Sequence, residues 1–140
     1  MSQKVHWLSR TLISGPRLVL CLSEKQYDEV IKFLVVGEPN PWLDEGCSAC
    51  VHHFQSSGGG KSAVVCLNTS ALNGSSIGIA AVLVHESVHI WQAFREHIGE
   101  DAPSNEFEAY SIESISRTLF EEYVRQTTGF RYPSSRLATA

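Results

Sequence analysis

The run His85-Glu86-Ser87-Val88-His89 sets two imidazoles four positions apart, with a carboxylate beside the first. On a helix, side chains four apart lie one turn above each other on the same face. Both rings can then reach one ion. Neutral imidazole nitrogen binds zinc at ~2.0–2.1 Å, and a catalytic zinc site uses three protein ligands and a water. Glu86 falls about 100° round the helix from His85, beside such an ion rather than on it. From there its carboxylate can take a proton from water, whose pKa a bound zinc lowers toward ~7. The chemistry these residues suit is metal-assisted hydrolysis, with Glu86 as general base.

The flanking residues decide whether the motif sits on a helix. Ile79-Ala80-Ala81-Val82-Leu83-Val84 precedes it and Ile90-Trp91 follows, with no proline nearby. A surface helix with two chance histidines would not carry such flanks. The expectation is a buried helix with polar groups at one level, and buried polar groups need partners. This helix is predicted to begin after Ser75 or Ser76 and to break at Gly99 to Pro103. A second is predicted from Ser104 or Asn105, with Ile112, Ile115, Leu119 and Tyr123 at helical spacing, ending before Gly129.

A third ligand has to come from elsewhere. His97 lies two turns beyond His89, too far to share its metal. The short connection makes the second helix an antiparallel neighbour, and its first turn offers Glu106 and Glu108. Glu108 shares a face with Ile112, Ile115 and Leu119, whereas Asn105 as cap with Glu108 closing a capping box is the plainer role.

With Glu106-Phe107-Glu108-Ala109-Tyr110 in place, the chain resembles the gluzincins, zinc metallopeptidases with H-E-x-x-H on one helix and a glutamate on the next. Their glutamate stands in an E-x-x-A-[DN] pattern, and here Tyr110 replaces its Asp or Asn. The resemblance covers roughly residues 77 to 125. It implies Zn2+ held by His85, His89 and Glu106, a peptide or protein substrate, and a small sheet over an active-site helix pair. The Tyr110 departure removes the usual carboxylate behind a ligand histidine. The chain also resembles compact metallopeptidase-like proteins of phages and other mobile elements.

Other residues are weaker candidates. His53, on a predicted strand, can stabilise an oxyanion beside a substrate added to that strand; a partly exposed strand histidine is the plainer reading. Tyr110 and Tyr123 can donate to a tetrahedral intermediate, Tyr110 being better placed, although edge-of-core tyrosines are common. Glu113 can back a histidine or simply be solvated, and Trp91 and Gln92 are expected to pack. Cys47-x-x-Cys50, with His52 and His53 nearby, is a weak signal for a second zinc; packed or free thiols are the expectation. Gly58 to Gly60 before Lys61 lacks the context of a phosphate loop.

The remaining elements must position this chemistry. Arg17 to Leu22 reads as a short buried strand, and Val5 to Ile13 has strand-like content. Ser23 with Gln26 signals a capping box, opening a helix with Tyr27, Val30, Ile31 and Leu34 on one face and a stop near Gly37. Val51 to Gln55 and Ala63 to Leu67 look like strands joined across Ser56 to Lys61. The whole 140-residue chain is expected to form one α+β domain, with a small, mainly antiparallel sheet packed on the active-site helix pair.

Bulk properties narrow the partners. The chain has 43% hydrophobic and 19% charged residues and a formal charge of −4, with its basic residues scattered. No basic stripe tracks phosphates, so nucleic acid is not an expected partner. No unbroken apolar run reaches the ~18–20 residues of a membrane span. The start of the chain lacks the pattern of a secretory signal, so a cytoplasmic protein with reduced cysteines is expected. Two rivals to a peptidase stand: a hydrolase of some other amide, and a non-catalytic, metal-stabilised interaction module of phage or host-interaction type.

Overall fold

The computed structural model describes residues 4–5, 8 and 15–133. The strand expected over Val5 to Ile13 falls largely outside them. Among the described residues, three strands and three α-helices follow one another as β1 (Arg17–Cys21), α1 (Glu24–Leu34), β2 (Ala49–Gln55), β3 (Lys61–Leu67), α2 (Ser76–His97) and α3 (Asn105–Thr128). A short 3-10 turn, Thr69–Leu72, precedes α2. The fold is α+β, as the sequence suggests.

The sheet has the order β1-β3-β2. β2 and β3 form the expected hairpin, with Val51 opposite Val65 and Gln55 opposite Lys61. Its turn closes through Ser56: Ser56 N–H donates to the Gly60 carbonyl at 2.8 Å, and Gly60 N–H donates to Ser56 Oγ at 3.1 Å. Gly59 takes φ +83°, which glycine adopts without a Cβ clash. The other pairing differs from expectation, because β1 lies parallel to β3 and the sheet is mixed. The chain leaves β1, crosses through α1 and returns, and such a crossover is what a parallel pair requires.

β3 is central and buried on both faces, which explains its unbroken run Ala-Val-Val-Cys-Leu. One face carries Leu18, Leu20, Ala63, Val65 and Leu67 against Ile79, Leu83 and Ile90 of α2 and Leu119 of α3. The other carries Val19, Cys21, Val64 and Cys66 against Tyr27, Val30 and Ile31 of α1. The domain therefore has three layers, with α1 on the side of the sheet away from the helix pair.

Capping fixes where the helices begin. Ser23, Ser75 and Ser104 each accept a backbone N–H in the first turn of the helix that follows. Gln26 reaches back to accept from Leu22 N–H at 2.7 Å. At the end of α3, Gly129 adopts the left-handed conformation and donates to the Arg125 carbonyl. α2 is apolar and long enough, by length and composition, to cross a membrane, though the core helix of a soluble protein passes the same test. Here its buried side is Ile79, Leu83, Ile90, Trp91 and Phe94.

Candidate functional site

α2 is straight helix through the motif, so His85 and His89 stack on one face as the four-residue spacing requires. Their Nε2 atoms are 3.0 Å apart and their rings meet edge to face, with centroids 4.7 Å apart. Both histidines are exposed. Two bonds of ~2.0–2.1 Å at a tetrahedral angle would span about 3.3 Å between nitrogens, close to the separation seen. His89 Nδ1 lies 3.2 Å from Gln92 Oε1. If that nitrogen donates, Nε2 is left as the free lone pair.

Glu86 turns inward and is only 6% exposed. Burial pushes its carboxyl above the ordinary glutamate range, while the neighbouring His85 and His89 pull it back. Ser87, fully buried, donates to the Leu83 carbonyl at 2.7 Å and stays within the helix.

His53 lies on β2, an edge strand that packs against α2. Strand alternation sends it to the same side as Ala49 and Val51, which pack on the α2 face. Burial of its ring, Lys61 and the nearby His89 hold its pKa below the usual histidine value. With Pro16, Lys61, Ser62, Ile90, Ala93 and Phe94 it borders a small cleft of about 30 Å³. Edge strand, histidine pair and His53 thus come to one side of the molecule.

The first turn of α3 is arranged differently from the sequence expectation of a helix-borne ligand. Glu108 accepts from Trp91 Nε1 at 2.9 Å. Trp91 lies two residues past His89, about 200° round α2, so this carboxylate is on the side turned away from the histidine pair. Ser104, not Asn105, caps the helix, and no capping box forms at Glu108. Glu106 is exposed, as is Tyr110 at 65%. Glu113 pairs with Arg117 at 2.7 Å on an exposed face. His89 lies near both Glu86 and His53, whereas Glu106 forms no group with the histidine pair within 4.8 Å among the described residues.

A second group lies on the opposite face of the sheet. Among the described residues, Cys50, His52 and Cys66 are the three metal-capable side chains whose ligand atoms all lie within 4.8 Å of one another, and they could hold a metal ion. Cys50 and Cys66 are cross-strand partners, and His52 is two residues on from Cys50 along the same face. Cys50 Sγ lies 3.2 Å from His52 Nε2. Without metal, Cys50 is pulled down to about 5, chiefly by its hydrogen bond with Cys66, while Cys66 is pushed up, first by its bond with Cys21. His52 is raised by its bond to Cys50. Cys47 is exposed and stands outside this group, and all four cysteines are free thiols. Free or packed thiols are what the sequence leads one to expect; the weak C-x-x-C signal takes in Cys50 and His52 but not Cys66. The informative signal was the hairpin, since counting equal numbers of residues back from its turn pairs Cys50 with Cys66.

No family model, curated protein or solved structure matches the chain. Its class is defined by what it carries: an α+β domain with a paired-histidine helix face on one side of the sheet. The particular feature is a Cys2His group, able to take a metal ion, on the other.

Proposed function

We propose that the chain is a zinc-dependent hydrolase of peptide bonds, in which His85 and His89 hold the metal and Glu86 handles the proton. The observation that carries this reading is the pair of Nε2 atoms 3.0 Å apart on an exposed helix face, next to a buried carboxylate. A zinc ion there would supply a Lewis acid for the scissile carbonyl and a lowered pKa for water. Glu86, made more basic by burial, takes a proton at its carboxylate and later delivers it to the leaving amine. Among the described residues the outer edge of β2 pairs with no strand and can take an extended peptide, and His53 stands on that strand to donate to the developing oxyanion. The four free thiols suit a reducing compartment.

The histidines fit one edge of a zinc coordination sphere. For the third ligand the reading keeps Glu106, because Glu108 already accepts the Trp91 indole N–H. The Glu106 carboxylate does not form a group with both histidine nitrogens within 4.8 Å, so the reading requires it to move on metal binding. Weakened zinc binding in Glu106→Gln, with Glu108→Gln as the control, is the expected sign of that role.

A second reading draws on the Cys50, His52 and Cys66 group. If the metal were purely structural, the chain would be an interaction module without turnover. Glu86→Gln separates the two. The hydrolase predicts unchanged metal content and a loss of peptide-library cleavage by roughly 10²–10⁴-fold. Wild-type protein that binds zinc but cleaves nothing in the library would sink it.

A further inference from the structure

We propose that Cys50, His52 and Cys66 form a structural zinc site that staples β2 to β3, independently of the histidine pair on α2. The register builds the site. Cys50 and Cys66 face each other across the antiparallel pair, and Cys21 faces Cys66 across the parallel pair. A row of three thiols thus runs across all three strands, on the face that α1 covers. His52 joins this row from the next position on its side of β2.

The donor set and spacing suit zinc. Zinc–sulfur bonds of ~2.3 Å and zinc–nitrogen bonds of ~2.0 Å put tetrahedral ligand atoms about 3.5–3.8 Å apart. The three ligand atoms lie within 4.8 Å of one another, so small side-chain movements close the site. Two thiolates with an imidazole favour zinc over the hard cations magnesium and calcium.

The surroundings argue for a structural role. The Trp42 carbonyl oxygen lies 3.0 Å from His52 Nε2 and 3.3 Å from Cys50 Sγ. The Tyr27 ring lies against His52, with centroids 4.9 Å apart. The ligands thus lie against the α1 layer and the loop that carries Trp42. Binding free energy at such a site is folding free energy, so zinc bound there should stabilise the pairing of β2 with β3.

The test uses the full chain and its His85→Ala/His89→Ala variant, loaded with cobalt as a zinc surrogate. Sulfur-to-cobalt charge transfer in the near ultraviolet reports thiolate ligation, which the histidine pair cannot produce. The expected result is the same band in both proteins and its loss in Cys50→Ser. No band in the wild type, or a band that survives Cys50→Ser, overturns the proposal. Should Cys50→Ser not fold, alkylation of the unaltered protein decides: saturating zinc should slow modification of Cys50 roughly tenfold or more. An unchanged rate overturns the site. The band can persist while Glu86→Gln and wild type are equally inactive, so this proposal and the hydrolase reading fail separately.

Discussion

His52 and His53 are adjacent in sequence and serve opposite faces of one sheet. His53 turns toward α2 and the histidine pair, while His52 turns toward α1 and the thiol row. The two regions are built in contrasting ways. The pair on α2 comes from five consecutive residues and needs only a helical turn to form. The thiol row needs two strands in register before any two of its members meet, and three before it is complete. A site of the first kind is exposed and insensitive to the packing around it; one of the second kind is part of the core.

That contrast can be broken by substitution in metal-free protein. Cys66→Ser exchanges a fully buried sulfhydryl for a more polar hydroxyl in an apolar row, and the expected cost is about 1–3 kcal/mol in urea denaturation. A negligible loss would show that the row is not core. Tyr27→Phe removes the phenol that donates to the Asn40 carbonyl at 2.8 Å, an expected cost of about 1 kcal/mol.

The same tyrosine gives the row a pH signature. Burial, together with the nearby Cys66 and Cys50, pushes its pKa up to about 12 from 10.0. The folded state therefore holds the proton after the unfolded chain has released it. The stabilisation is full below about pH 10 and declines as pH rises toward about 12. Denaturation midpoints across that window should fall for wild type and fall less for Tyr27→Phe. The smallest effect belongs to the other region. His85→Ala/His89→Ala, at two exposed positions, should change metal-free stability by less than about 0.5 kcal/mol. A larger loss would place the pair in the core and erase the contrast.

The same division explains what could be read from sequence. The paired histidines, the Ser23 cap and the stop at Gly129 depend on neighbours in the chain, and each was legible. The sequence leaves the start of α2 between Ser75 and Ser76, and it offers Asn105 as the α3 cap where the structure uses Ser104. The strands of the hairpin were legible from content, with their starts two residues late. The parallel placement of β1 was not, because which edge of β3 it joins is decided by the path of α1 and not by its own Leu-Val-Leu. The rotation of α3 about its axis was hidden for a related reason. Helical spacing places Glu108 on the face of Ile115 and Leu119, but the acceptor that Trp91 requires lies in tertiary space. Cys66 was read as a buried strand residue, and only the hairpin register makes it a partner of Cys50.

At the far end of α3, Gln126 Nε2 donates to the Leu20 carbonyl at 2.9 Å and to Glu122 at 2.9 Å, while its Oε1 accepts from Gln26. This clasp ties the first strand and first helix to the last turn of the last helix, across 106 positions of chain. The domain thus has a hard C-terminal limit. A chain shortened to end before Gln126 would remove the side-chain donor to the Leu20 carbonyl and one acceptor of the Gln26 amide. A truncation that stops just after Gly129 keeps every one of those partners.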